Sequence, residues 1–132
     1  MRFAVDRLDH LVINCTDTEK MASWYQRVLG MEREDFGDPP RIALKFGGQK
    51  INLRPATASQ ETWLAAALTQ PGTQDLCFIV AMAVDQIVAQ FQSCGVTILL
   101  GPVTRQGALG PMGSVYCRDP EGNLIEVSSY SP

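Results

Sequence analysis

Apolar side chains between residues 16 and 29 fall at Met21, Trp24, Tyr25, Val28 and Leu29. This i, i+3, i+4, i+7, i+8 stripe predicts a helix with one buried face. Thr16 followed by Glu19 gives a capping-box pattern at its start, and Gly30 supplies a stop. Val84, Ile87, Val88 and Phe91 repeat the stripe and predict a second helix over about 84–93, ended by Gly95. A short strand-like run precedes each helix, at 8–14 and at 75–80. The segments after the two helices also match each other. Residues 41–46, Gly47-Gly48 and 50–54 read as a hairpin with a glycine turn. Residues 114–118, the turn 119–123 and 124–129 read as another. One more strand is expected in each half, at 31–36 and at 97–100.

The chain therefore reads as a βαβββ unit written twice, an α+β fold. We expect a single domain over 1–132, with module 1 at about 6–54, a linker at about 55–72 and module 2 at about 73–130. A short helix is expected at 61–68. Each half would form a small sheet with a helix over one face. Two such sheets side by side would make a curved mixed sheet with a concave ligand cleft.

Strand alternation assigns side chains to that cleft. Leu11 and Ile13 pack on the helix, so His10, Val12 and Asn14 face away from it. By the same rule Lys50, Asn52 and Arg54, then Asp75, Cys77 and Ile79, then Leu124, Glu126 and Ser128 line the cleft. Aligning the halves pairs His10 with Asp75 and Asn52 with Glu126. An imidazole, two carboxylates and a carboxamide at four quasi-symmetric positions are candidate donors to a metal. Each residue also has a plainer reading. His10 could be hydrogen-bonded at a strand start, Glu126 could lie on an exposed strand face, and Asp75 could cap a strand after Pro71-Gly72. Lys50 and Arg54 would suit an anionic or enolate-forming ligand, or could be solvated edge charges. Arg105, beside the glycine-rich segment 106–113, could clamp a carboxylate or phosphate under a loop that closes over it. That segment could equally be a flexible connection.

Composition narrows the partners. Apolar residues make up 45% and charged residues 19%, with a formal net charge of -3. The acidic balance argues against nucleic acid or an anionic membrane as the main partner, since both need a basic footprint. Arg2, Asp6, Arg7 and Asp9 break any signal-like apolar stretch at the N-terminus, and no apolar run reaches membrane-spanning length. A cytoplasmic protein with a small-molecule ligand is expected. The four cysteines form no CxxC pair, and a single histidine excludes zinc-finger spacing.

Three stretches carry a family resemblance. Leu8-Asp-His-Leu-Val-Ile13, Trp24-Tyr-Gln-Arg-Val-Leu-Gly30 and Arg118-Asp-Pro-Glu-Gly-Asn-Leu-Ile-Glu126 resemble the opening strand, first helix and closing hairpin of the vicinal oxygen chelate (glyoxalase/bleomycin resistance/dioxygenase) superfamily. Gln49-Lys-Ile-Asn-Leu53, Gly101-Pro-Val103 and Arg105-Gln-Gly-Ala-Leu-Gly-Pro111 are similar to the subgroup of glyoxalase domain-containing protein 5 and its bacterial virulence-associated relatives. The resemblance implies a divalent metal (Ni, Mn, Fe, Zn or Mg) and frequent pairing of chains as a homodimer. His10 and Glu126 match the superfamily's first and last ligands. Asn52 stands where glyoxalase I has a carboxylate, and Asp75 where most metal-binding members have a second histidine. The expectation is a metal-dependent glyoxalase-like lyase or isomerase acting on a small oxygen-rich substrate. His10, Asp75 and Glu126 would hold the metal, Glu126 would move the proton, and Asn52, Lys50, Arg54 and Arg105 would bind substrate. A non-catalytic small-molecule-binding protein of the resistance type is the alternative, and an extradiol-type dioxygenase is a third reading.

Overall fold

The computed structural model describes residues 1–131. It divides into two compact units, Met1–Pro71 and a second beginning at Gly72. In the first, β1 (His10–Cys15), α1 (Thr18–Leu29), β2 (Glu32–Phe36), β3 (Arg41–Phe46) and β4 (Gln49–Pro55) form a four-stranded sheet in the order β1-β4-β3-β2. In the second, β5 (Asp75–Ile79), α2 (Val84–Ser93), β6 (Leu100–Gly107), β7 (Gly110–Arg118) and β8 (Leu124–Ser129) repeat it as β5-β8-β7-β6. The first strand of each unit runs parallel to the last, and the other pairs are antiparallel. The α+β fold of two βαβββ modules is thus as the pattern predicts. A parallel pair needs a long crossover, which in each unit includes the helix.

The helices bury the stripes read from the sequence. Met21, Trp24, Tyr25 and Val28 of α1 lie in a core with Ile13, Leu44, Ile51 and Leu53, all buried. Ile87 and Phe91 of α2 do the same with Val115, Ile125 and Val127. Gly30 closes α1 as expected, but the N-cap is Asp17 rather than Thr16. Its side chain accepts the Lys20 N–H at 3.0 Å, and a carboxylate at this position also complements the helix dipole. Among the described residues, no helix is long and apolar enough to cross a membrane.

Three local expectations change. No helix forms at 61–68. Polar side chains there take the bonds a helix would use: Ser59 Oγ accepts the Thr62 N–H, and Gln60 accepts the Ala65 N–H and donates to the Ala66 carbonyl. The segment 106–113 is not a loop. It is the end of the β6–β7 hairpin, with Ala108 and Leu109 between the strands. Gly107 is there for close approach, because a Cβ would lie 2.3 Å from the Tyr130 hydroxyl. That hydroxyl in turn accepts the Leu109 N–H at 3.1 Å. The strand expected at 97–100 begins only at Leu100, and the register with β7 shifts between Leu100 and Val103.

Candidate functional sites on the two sheets

In the first unit the register pairs His10 with Lys50, Val12 with Asn52 and Asn14 with Arg54. Ala43 lies opposite Asn52, and Phe36 opposite Arg41. Alternation puts all of these on the sheet face away from α1. The half-exposed His10 ring has its Nδ1 2.7 Å from Asp9 Oδ2. That hydrogen bond is the main reason the Asp9 carboxyl sits below its ordinary range. The bond leaves Nε2 as the ring's other coordinating atom. Asn52 is 7% exposed, and its Oδ1 is buried without any hydrogen-bond partner. A buried acceptor of this kind is costly and normally satisfied, so it marks a place where a donor or cation would be favoured.

The two cations expected on this face behave differently. Lys50 Nζ stands 4.0 Å over the Phe36 ring. Arg54 is fully buried. Its guanidinium donates to Asn14 Oδ1 at 2.8 Å and to the carbonyls of Ala58 (2.7 Å), Ser59 and Trp63 (3.0 Å). The sequence reading of Arg54 as a substrate-binding cation does not match this setting: the side chain pins segment 55–63 to β4. The cation that reaches open space beside it is Arg41, whose guanidinium carbon is 3.9 Å above the Trp63 ring. Arg41 and Phe36 are paired across β2 and β3, but Trp63 reaches them only through the irregular path of that pinned segment, so the three were not legible as a site.

In the second unit Glu126 lies between Cys77 and Tyr116, and Ser128 lies beside Ser114. Ser128 Oγ donates to Glu126 Oε2 at 3.2 Å. With its one proton so used, Ser128 accepts from Ser114 Oγ at 2.7 Å and from the Cys77 thiol at 3.3 Å. Burial pushes the Cys77 thiol up; the Ser128 hydroxyl opposes this, and the Glu126 and Asp75 charges add to it. Cys77 is therefore a thiol that steadies the network, not a ready nucleophile. Asp75 is exposed at the start of β5. Arg105 Nε donates to the Tyr116 hydroxyl at 3.1 Å, which aims a cation from β6 over β7. Ser114 and Tyr116 were missed from the sequence, although their even-numbered alternation with Met112 was available as a signal. Within each unit, no three His, Cys, Asp or Glu side chains among the described residues gather closely enough to hold a metal.

The duplicated βαβββ architecture is shared with known proteins. The sequence profile of the Glyoxalase/Bleomycin resistance protein/Dioxygenase superfamily matches residues 7–127, and the chain belongs to that superfamily. It is 46% identical over 129 residues to the glyoxalase domain-containing protein RDO1 of Mycosarcoma maydis, covering 98% of this chain and 71% of that protein. It is 41% identical over 130 residues to virulence protein STM3117 of Salmonella typhimurium, covering 98% of this chain and 88% of that one. The crystal structure of the Salmonella protein overlays with a TM-score of 0.91, covering 97% of this chain and 99% of that one. The integron cassette protein VCH_CASS1 of V. cholerae is 44% identical with a TM-score of 0.92, covering 99% of this chain and 100% of that one. Members of the superfamily commonly use a divalent metal.

Proposed function

We propose that this protein is a metal-dependent, glyoxalase-like lyase or isomerase acting on a small oxygen-rich substrate. The observation that carries the proposal is the His10–Asp9 pair. A carboxylate on one ring nitrogen fixes the tautomer and orients the ring, the usual arrangement behind a metal-bound histidine. The donors suit a divalent ion of borderline or hard character: an imidazole at His10, carboxylates at Glu126 and Asp75, and the orphaned amide oxygen of Asn52. An ion of this kind supplies Lewis acidity, drawing charge onto a substrate oxygen.

The chain's own groups do the remaining work. Glu126 is the general base for a proton on the carbon next to that oxygen. One of its carboxylate oxygens is held by Ser128, which keeps the group in one orientation. Lys50 and Arg105 offer positive charge to an anionic substrate. Asn52 Oδ1 takes a hydrogen bond from a substrate hydroxyl when it does not serve the ion.

The test is metal content after purification without chelator, followed by calorimetric titration with Ni²⁺ and Mn²⁺. Near-stoichiometric metal is expected in the natural protein. His10→Ala and Glu126→Ala abolish it, and Asp9→Asn weakens affinity by about 10–100-fold. If the natural protein takes up none of these ions, the lyase reading fails and a metal-free binding protein replaces it.

A further inference from the structure

The first unit contains a cavity of about 450 Å³ at the end of its sheet, lined by Phe36, Arg41, Pro55, Ala58, Thr62, Trp63 and the turn 37–40. Its size suits a small organic ligand. We propose that it binds a small planar aromatic carboxylate, with Arg41 holding the carboxylate and Trp63 and Phe36 flanking the ring.

Charge and geometry select this ligand. The other cations of β2 and β3 are already matched to acids: Arg33 to Glu19 and Asp35, and Lys45 to Glu34. Arg41 and Lys50 form no salt bridge among the described residues and lie instead on the rings of Trp63 and Phe36. A guanidinium has five N–H donors. The acceptor given to Arg41 by the described residues is the Thr62 carbonyl, at 3.2 Å. Donors therefore remain for a two-oxygen acceptor, the group a guanidinium holds best.

A guanidinium at stacking distance from an indole sets the height of the layer above it. A flat ring joined to a carboxylate can continue that layer, whereas a puckered ring cannot. Pro39, Pro40 and Pro55 add rigid apolar walls. The one acid in the lining, Asp38, is exposed on the turn. The wall itself is preformed, because buried Arg54 ties the Trp63, Ala58 and Ser59 carbonyls to β4. A ligand that meets a preformed wall loses little affinity to ordering it. A second cavity of about 250 Å³ shares Arg41 and Trp63, but its other cation, Arg33, is held by two carboxylates.

The experiment uses the full chain with chelator present, so its outcome does not depend on the metal reading. Binding of 2-naphthoate, 2-naphthamide and the saturated decalin-2-carboxylate is followed by calorimetry and tryptophan fluorescence. Saturable one-to-one binding of naphthoate is expected, with the neutral amide about tenfold weaker or more. Arg41→Gln erases that difference. Trp63→Leu weakens naphthoate and brings it level with the saturated acid. Circular dichroism confirms that each variant is folded, and Arg41→Lys serves as a second variant that keeps the charge while losing the fork. No saturable naphthoate binding, equal affinity for acid and amide, or discrimination that survives Arg41→Gln each overturns the proposal.

Discussion

Arg54 shows how far a residue's chemistry and its setting can diverge. Alternation places it correctly on the face away from α1, and its charge suggests a ligand contact. The structure instead surrounds it with an amide oxygen and three carbonyls. No periodicity in the sequence reports that segment 55–63 folds back over β4, so this part of the site was illegible. Replacing Arg54 with Met would leave several buried acceptors without donors, at a cost of about 1–3 kcal/mol each. We expect a loss of about 3 kcal/mol or more in urea denaturation, together with weaker binding in the Arg41–Trp63 cavity. A loss under about 0.5 kcal/mol, the range of ordinary surface substitutions, would show that the segment holds itself in place. The sheet faces of His10, Asn52, Asp75 and Glu126, by contrast, were readable one by one because a strand's period of two fixes them.

At the scale of elements, the fold was written in the sequence twice, and that repetition is why it could be read. Each helix stripe, each parallel first strand and each closing hairpin has a counterpart, so an error in one half is exposed by the other. The connector at 61–68, which has no counterpart, was misread, and so were the β6–β7 hairpin tip and the start of β6, where the two halves differ in length. Glycines at that tip suggested a loop, yet Gly107 makes room for Tyr130 inside a regular hairpin. Between elements, α1 is tied to β2 by Arg33, which bonds Glu19 and Asp35 at once. Those bonds hold both carboxyls below their ordinary values of 4.5 and 3.8. Acids with folded values below their unfolded ones contribute stability at neutral pH and lose it as pH falls through the folded values. The stability difference between the natural protein and Arg33→Gln, measured by urea denaturation across pH 7 to 2, should therefore be present at pH 7 and vanish at the acid end. A difference unchanged down to pH 2 would mean that Arg33 acts through packing of its stem rather than through charge.

The molecule as a whole carries two sheets with different chemistry. One offers an imidazole oriented by a carboxylate, an orphaned amide oxygen and an aromatic-lined cavity. The other offers a carboxylate held by a chain of hydroxyls. Membership of the glyoxalase superfamily rests on sequence and fold, while the particular reaction rests on what these groups hold. The chain has a single histidine, which makes the metal reading unusually direct to test. X-ray absorption of the Ni²⁺-loaded protein should show one imidazole among otherwise oxygen donors, and Asp9→Asn should lengthen or disorder that imidazole shell. A bound nickel with no imidazole in its coordination sphere would contradict the proposed metal site.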